Sequence, residues 1–341
     1  MVDKKQLLAR AWSSSGLARA AIRAGFGPRR ALVVLAYHRI LDIGDEDRFA
    51  SDPELVSATV ADFEWQMRFV REHFSPLTFR QVIDHQERGL ELPDRSIIVT
   101  FDDGHIDNYT LAFPVLRTTG VPATIFLSTD YIGAGRPFWF DHVASILFRA
   151  SEGPLELKSI GFRGELSDGR SRRFAASQVL GALKRVKEST RLACVEELGA
   201  QAGSATATED DPAVFAMDWA QVREMARSGI EFGSHTVSHP ILANVERAQL
   251  VRELVESRKS IETHTGRPAE VIAYPIGKRF AYDEAVIGAC RDAGYRLGVS
   301  YESGVNEWPL PMPFELRRLA VERYTDRTMF ESLLSLPRLF G

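Results

Sequence analysis

The feature that most constrains this chain is the alternation of short apolar segments with longer stretches of helical periodicity. Seven such segments are continuously apolar, which is typical of strands covered on both faces. They are Ala31–Tyr37, Ser96–Phe101, Pro122–Ser128, Ile230–Ser234, Glu270–Tyr274, Tyr295–Ser300 and Leu316–Val321. Helical patterns lie at about 61–74, 79–89, 107–119, 218–228, 245–264 and 282–293. This order favours an α/β fold with a parallel sheet, and seven strands favour a closed barrel related to the eight-stranded one.

The segment 136–217 interrupts the alternation. It begins with the aromatic sequence Pro137–Asp141, continues with charged helical sequence and ends in the polar stretch Ser204–Asp211. We therefore expect one barrel domain over residues 31–341, interrupted by a helical insertion at about 136–217.

Composition excludes several classes of protein. Of the 341 residues, 26% are charged, and the net charge is −4. This balance fits neither a disordered chain nor a general polyanion binder, so we expect no nucleic-acid partner. Cys194 and Cys290 are too few for a disulfide framework and lack CxxC spacing, so we interpret them as buried thiols in a reducing compartment.

Residues 1–30 are expected to form a basic amphipathic helical segment, because Lys and Arg alternate there with apolar residues. Such a helix either packs on the barrel or contacts an anionic membrane surface, and the sequence leaves both open. The apolar segment Ala31–Tyr37 is too short to span a membrane and lacks a following cleavage site. We therefore expect a cytoplasmic protein, peripheral at the inner membrane surface if the segment binds lipid.

Two adjacent carboxylates, Asp102 and Asp103, end the second predicted strand and precede Gly104. Functional sites in parallel α/β folds collect at the carboxyl ends of strands. Neighbouring carboxylates repel each other, so they need a cation or a shared proton. Taken alone, the sequence Asp-Asp-Gly is also compatible with a turn and a helix N-cap.

Two histidines, His235 and His239, follow the fourth predicted strand at a spacing of four residues, just before Pro240. Histidines at this spacing can face one metal ion, although a lone pair is more often part of the core. Combined with the aspartate pair, they predict a three-ligand site with open positions, as hydrolytic metal ions require.

The segments Thr100–Gly104 and His235–Pro240 resemble the first two motifs of the polysaccharide deacetylases, which form carbohydrate esterase family 4 and are also called the NodB-homology domain. The stretches Asp107–Leu116 and Val121–Phe126 are similar to the same family. This resemblance implies a distorted seven-stranded (β/α) barrel. It also implies a metal-dependent hydrolase that removes N-acetyl groups from amino sugars.

By the same resemblance, Asp103, His235 and His239 would hold the metal ion. Asp102 would be the general base that deprotonates water, a role that suits a carboxylate beside a divalent cation. The usual metal of the family is zinc. A ligand set of two nitrogens and one oxygen also suits nickel, cobalt or iron.

The third motif departs from the family pattern. Where the family often has Arg-x-Pro-Tyr-Gly, this chain has Ala273–Gly277, so the arginine that orients the base is absent. The backbone N–H of Ile276 can still serve as an oxyanion donor, because this role needs no particular side chain. Arg318 follows the pattern of a related branch, and it either replaces the missing arginine or forms a surface ion pair.

The late Leu-His motif of the family is also absent, since no histidine follows His264. The first strand, however, contains Tyr37-His38, as in a branch of exopolysaccharide deacetylases with this motif near the N-terminus. First and last strands of a closed barrel are neighbours, so His38 can lie where the missing histidine would be. We expect His38 to be the acid for the leaving amine, with a buried structural histidine as the alternative. For His105 we expect a role at the pocket rim or in packing.

The leading hypothesis is therefore a metal-dependent N-deacetylase acting on an N-acetylhexosamine in a glycan or a lipid-linked glycan precursor. One alternative keeps the site but makes the chain a deformylase or amidase acting on a lipid-linked sugar or a non-sugar amide. Another is a non-catalytic glycan-binding module. Trp139 and Phe140 either stack on sugar faces or anchor the insertion, and the sequence leaves both open.

Overall fold

The computed structural model describes residues 12, 31–44, 49, 51–202 and 215–340. The expected amphipathic segment 1–30 lies outside the described residues except for Trp12. The indole N–H of Trp12 donates to Ser335 Oγ at 3.0 Å, and its ring packs on the barrel core. None of the helices in the described ranges is long and apolar enough to cross a membrane.

Seven parallel strands in the described chain close into a barrel in which neighbours in sequence are neighbours in space. They are β1 (Ala31–Tyr37), β2 (Ser96–Phe101), β3 (Ala123–Leu127), β4 (Glu231–Ser234), β5 (Val271–Ala273), β6 (Leu297–Ser303) and β7 (Leu316–Ala320). Closure comes from β1, which pairs with β2 on one side and with β7 on the other. The predicted seven-stranded (β/α) barrel is confirmed.

Most of the strands are apolar along their length because both of their faces are buried. In β1, Val33 and Leu35 belong to one hydrophobic cluster, whereas Leu32 and Val34 belong to another. Successive side chains of a strand point to opposite faces, so the two clusters lie on opposite sides of the barrel wall. All seven residues of β1 are buried.

Eleven helices are described, in chain order. They are α1 (Val60–His73), α2 (Phe79–Arg88), α3 (Phe113–Thr119), α4 (Trp139–Arg149), α5 (Gly169–Leu183), α6 (Glu188–Ala202), α7 (Trp219–Arg227), α8 (Arg247–Thr265), α9 (Glu284–Asp292), α10 (Arg327–Ser335) and α11 (Pro337–Phe340). The helix predicted at 107–119 is split, because Asn108–Ala112 forms a π-helical turn before α3.

Between β3 and α7, the chain leaves the barrel pattern and forms α4, α5 and α6. These helices pack around a hydrophobic cluster of their own. A hairpin of Gly153–Leu157 and Phe162–Leu166, which the sequence did not predict, lies between α4 and α5. Other short pairings outside the barrel wall join Arg39–Ile40 to Val56–Ala58 and Asn306–Glu307 to the start of β1.

Candidate active site

The structure brings the seven predicted site residues to one cavity or its wall, at the carboxyl ends of the barrel strands. The cavity has a volume of about 350 Å³. Six of the seven line it, namely His38, Asp102, Asp103, His235, His239 and Ile276. The seventh, Arg318, lies directly behind Asp102. The insertion contributes two further side chains, Phe140 and Lys184.

Backbone strain is concentrated at this end of the barrel. Five non-glycine residues in the described chain have positive φ angles, and four of them belong to the loops of the site. These four are Asp103 (72°), Thr236 (71°), His239 (56°) and Ile276 (64°). Such conformations cost free energy in residues with a side chain and persist where the surroundings hold them, which is typical of functional sites.

Asp103, His235 and His239 form a compact group of ligand atoms. One atom from each lies within 4.8 Å of the others. Asp103 Oδ1 is 3.5 Å from His235 Nε2 and 3.3 Å from His239 Nε2. This buried oxygen has no hydrogen-bond partner. Two imidazole nitrogens around an unpartnered carboxylate oxygen fit a divalent cation with further open positions.

The protonation states of this group suit metal binding. His235 Nδ1 lies 2.8 Å from the carbonyl oxygen of Ala273, so Nδ1 carries the proton and Nε2 faces the group. Burial lowers the pKa of His235 to about 4 despite the nearby charge of Asp102, so the imidazole is neutral at pH 7. Burial opposes ionisation of Asp103, but the adjacent imidazole of His239, with those of His105 and His235, holds its pKa below the usual range.

The loop that carries both histidines is fixed from α8 by a buried carboxylate, Glu253. Its Oε2 accepts hydrogen bonds from the backbone N–H groups of Val237 (2.8 Å) and Ser238 (2.9 Å). On the other side of the loop, the indole N–H of Trp139 donates to the carbonyl oxygen of His239 at 3.2 Å. Trp139 is buried, so its contacts are those of an anchor, whereas Phe140 lines the cavity.

Asp102 is held by a bidentate pair with Arg318. The two guanidinium nitrogens lie 2.7 Å and 2.8 Å from Oδ1 and Oδ2, and Arg318 Nε donates to the carbonyl oxygen of Ser300 at 2.8 Å. Arg318 is on β7 and is buried rather than on the surface. Burial opposes ionisation of Asp102, but the charge and hydrogen bonds of Arg318 lower its pKa, so the carboxylate stays ionised.

His38 follows β1 and lies beside the same carboxylate. Its Nε2 is 3.8 Å from Asp102 Oδ2, and 17% of its side chain is exposed to the cavity. Ser57 Oγ accepts a hydrogen bond from the backbone N–H of His38, and the Asn108 side-chain amide donates to its carbonyl oxygen. Burial lowers the pKa of His38, and the charge of Asp102 partly offsets this effect.

Ile276 lies on the loop after β5, where the third motif was expected. Its positive φ is unusual for a β-branched residue. Gly277, which follows it, has no room for a side chain, because a Cβ atom would lie 2.5 Å from the backbone nitrogen of Tyr301. Within the described residues, the backbone N–H of Ile276 has no acceptor, so it is available to a ligand in the cavity.

His105 is fully buried, so of the two expected roles, at the pocket rim or in packing, the structure favours packing. Its ring lies 4.5 Å from that of Phe138. It is also hydrogen-bonded, since its Nε2 is 3.0 Å from Oδ2 of Asp141, the first acidic residue of α4. Its Nδ1 faces the Oδ2 atom of Asp103 at 3.8 Å.

Sequence reasoning missed the buried residues that support the site. Asp107 pairs with the buried Arg39 at 2.8 Å and also accepts a hydrogen bond from the backbone N–H of Ile40. A signal was available for Asp107, which belongs to the motif that extends from the aspartate pair. Glu253 and Asp141 lie on ordinary amphipathic helices, and nothing in the sequence distinguishes their carboxylates from solvated ones.

Two known proteins are similar to this chain in sequence. A 24% identical relative, YxkH of Bacillus subtilis (strain 168), aligns over 274 residues, which are 80% of this chain and 65% of that protein. The poly-beta-1,6-N-acetyl-D-glucosamine N-deacetylase of Staphylococcus epidermidis is 33% identical over 113 residues, 31% of this chain and 39% of that enzyme. The chain thus spans less than two thirds of the length of either relative.

The fold has counterparts among solved structures. The deacetylase PplD of Streptococcus pyogenes, in complex with acetate, superposes with a TM-score of 0.59 at 18% identity, over 89% of this chain and 96% of that one. The sequence profile described as polysaccharide deacetylase matches residues 89–298, more than half of the chain. The matched range contains the aspartate pair and both histidines, and this chain belongs to the polysaccharide deacetylase family.

Proposed function

We propose that this chain hydrolyses the N-acetyl group of an N-acetylhexosamine within a glycan, releasing acetate and a free amine. The observation that carries the proposal is the position of Asp102 in one cavity with Asp103, His235 and His239. Asp102 is an ionised carboxylate fixed by an arginine and lies 3.8 Å from His38. Membership of the family, and relatives named as poly-beta-1,6-N-acetyl-D-glucosamine N-deacetylases, support an amino-sugar acetamide as the substrate.

Asp103, His235 and His239 would hold a divalent ion, which we propose to be zinc. Such an ion would act as a Lewis acid on the acetamide carbonyl. The same donor set also suits nickel, cobalt or iron, and elemental analysis of the purified protein distinguishes zinc from them.

The residues around this group can carry out the remaining steps. A water molecule attacks the acetyl carbon, and Asp102 takes its proton, because Arg318 fixes the carboxylate in the ionised form. The backbone N–H of Ile276 donates to the carbonyl oxygen as negative charge develops there. The carbon–nitrogen bond then breaks, and His38 protonates the amine nitrogen as it leaves.

His38 needs a source for that proton, because burial lowers its pKa and favours the neutral imidazole. Asp102 is the nearest source, with its Oδ2 atom 3.8 Å from His38 Nε2. The proton that Asp102 removes from water can therefore pass through His38 to the amine. This route returns both residues to their starting states within one turnover.

The experiment that tests the proposal is mass spectrometry of acetylated substrates after incubation with the zinc-loaded protein. A poly-N-acetylglucosamine chain and a lipid-linked oligosaccharide are tested in parallel, with the Asp102→Asn variant as the inactive control. Loss of acetyl groups only with the wild type supports the proposal, and a preference for the lipid-linked form would favour a glycan precursor as the substrate. Turnover of formylated or non-sugar amides alone would favour the amidase alternative. Glycan binding without turnover would favour the binding module.

A further inference from the structure

The residues proposed as base and acid, Asp102 and His38, lie on two segments that are hydrogen-bonded to each other. The backbone N–H of Asp102 donates to the carbonyl oxygen of Tyr37 at 3.0 Å. Later in the same stretch, the side-chain amide of Asn108 donates to the carbonyl oxygen of His38 at 2.8 Å. Asn108 is fully buried, so water does not compete for this hydrogen bond. The stretch that carries the base therefore also holds the peptide groups on both sides of the acid.

The residue before Asn108 strengthens the connection between the two segments. Asp107 Oδ1 accepts a hydrogen bond from the backbone N–H of Ile40 at 3.0 Å, and its Oδ2 lies 2.8 Å from Arg39 Nε. Both members of this ion pair are buried. Breaking a buried, hydrogen-bonded ion pair leaves an uncompensated charge and is strongly unfavourable. The backbone directly after the acid is therefore fixed as firmly as the backbone before it.

The local structure around Asn108 is unusual. It is the first residue of the π-helical turn Asn108–Ala112, which precedes α3. Turns of this kind are rare and often occur at functional sites. From the opposite side, Ser57 Oγ accepts a hydrogen bond from the backbone N–H of His38 at 3.0 Å. Both backbone polar groups of His38 thus have side-chain partners.

We infer that Asn108 positions His38 as the acid for the leaving amine, so that one stretch of chain sets the distance between acid and base. Asp107 and Ser57 support the same arrangement. This inference rests on the proposed function, in which His38 protonates the amine. The three supporting residues are not among those that line the cavity, so they are positioning residues. Displacement of a reacting group by about 1 Å can lower a rate by about 10²-fold, which makes such support important for turnover.

A second buried asparagine on the same strand provides a matched control. Asn108→Ala removes the donor to the carbonyl oxygen of His38. Asn306 is also buried, and its side-chain amide donates to the carbonyl oxygen of Leu32 at 3.2 Å, near the opposite end of β1. Its side chain also forms hydrogen bonds with the backbone of Arg317. Asn306→Ala therefore removes a comparable support of the strand at a point far from the acid.

The measurement is hydrolysis of an N-acetylglucosamine oligomer and of para-nitrophenyl acetate by the zinc-loaded, full-length protein, together with the metal content and melting temperature of each variant. We expect Asn108→Ala to retain the metal and to lower kcat for the amide by about 10- to 100-fold. The ester should be affected much less, because its leaving group needs little protonation. Asn306→Ala should lower the melting temperature and leave the ratio of amide to ester hydrolysis unchanged.

A double-mutant cycle with His38→Ala separates positioning from packing. If Asn108 acts through His38, adding Asn108→Ala to His38→Ala should change amide hydrolysis by less than about twofold. Adding Asn306→Ala to His38→Ala should likewise have little effect on the rate, whereas its effect on the melting temperature should persist. Ser57→Ala, a smaller change on the other side of the acid, should lower the ratio of amide to ester hydrolysis in the same direction as Asn108→Ala.

Each other outcome overturns a defined claim. If the wild type hydrolyses no acetylated amino sugar, the proposed function fails and this inference fails with it. If the wild type is active and His38→Ala lowers the ratio, but Asn108→Ala behaves as Asn306→Ala does, the inference alone is overturned. Equal losses of amide and ester hydrolysis in Asn108→Ala would also overturn it, because the effect would then not pass through the acid. If Asn108→Ala does not fold, Ser57→Ala decides, and an unchanged ratio in that variant overturns the inference.

Discussion

The barrel has carboxylates at both ends, and they are held in opposite ways. At the carboxyl ends of the strands, Asp102 faces an arginine, which is always charged, and Asp103 faces histidines, which are charged only when protonated. Arg318 binds Asp102 through two hydrogen bonds, and three histidines lie around Asp103. These interactions lower the pKa values of both aspartates even though burial acts in the other direction.

At the amino ends of the strands, Glu231 has only neutral donors for its hydrogen bonds. Its carboxylate accepts from the backbone N–H groups of Phe79 and Arg80 at 2.9 Å and from Thr124 Oγ1 at 2.6 Å. Burial raises its pKa, and these hydrogen bonds only partly offset the effect. The carboxylate caps α2, which is a structural role. The comparison indicates that the carboxylates at one end of the barrel are kept ionised and can take part in chemistry. The carboxylate at the other end accepts hydrogen bonds from backbone N–H groups and stabilises the fold.

Removing His235 and His239 should have the largest effect at the carboxyl ends of the strands and is the strongest test of the difference between the two ends of the barrel. In the His235→Ala, His239→Ala double variant we expect loss of bound metal and of nearly all activity, because a three-ligand site would keep one ligand. Elemental analysis of the purified proteins gives the metal content, with Glu231→Gln as the control from the opposite end. Equal metal in the wild type and the double variant would reject the site.

Neutralising the base should separate catalysis from metal binding. We expect Asp102→Asn to retain the metal and to lose activity by about two to four orders of magnitude, the usual contribution of a general base. Activity is measured as acetate release and metal as its ratio to protein. Near-wild-type turnover would mean that Asp102 is not the base.

The acid is tested by changing the leaving group. His38→Ala should reduce hydrolysis of an acetamide by about 10²-fold or more, because an amine is poorly expelled unless it is protonated. Activated acetate esters need less protonation of the leaving group, so they should be affected much less. The ratio of amide to ester hydrolysis is compared between wild type and variant. An unchanged ratio would make His38 a structural residue.

Adjacent arginines on β7 allow a matched test of how Asp102 is oriented. Arg318→Lys keeps the charge but loses the planar bidentate pair, so we expect kcat to fall by about tenfold or more with little change in KM. Arg317 lies on the exposed face of the strand, and Arg317→Lys should change neither kcat nor stability appreciably. Equal effects of the two substitutions would contradict a special role for the bidentate pair.

The sequence predicted most of the fold because most residues of the barrel strands are buried on both faces, which leaves a strong apolar signal. The hairpin after α4 was not predicted, since its strands include exposed residues between the buried ones and one begins at a glycine and a proline. The positions of Asp102, Asp103, His235 and His239 follow from motifs at strand ends. Contacts such as that of Asp141 with His105 depend on how the insertion packs, and a single sequence carries no local sign of it.

The smallest expected effect is at the amino end of the barrel, and it has a defined dependence on pH. Glu231→Gln should leave activity unchanged and cost about 1–3 kcal/mol of stability. The three donors that share the two carboxylate oxygens of Glu231 would have only the single oxygen of the amide.

The folded-state pKa of Glu231 is raised above its ordinary value of 4.5 by burial. Its contribution is therefore fully present below pH 4.5 and is lost as pH rises through the folded-state pKa. We expect the stability difference between wild type and Glu231→Gln to narrow as pH rises from 4 towards neutrality, which denaturant unfolding at several pH values can measure. A difference that widens over the same range would mean that the N-terminus of α2 lowers the pKa of Glu231 more than burial raises it. The carboxylates at both ends of the barrel would then have lowered pKa values.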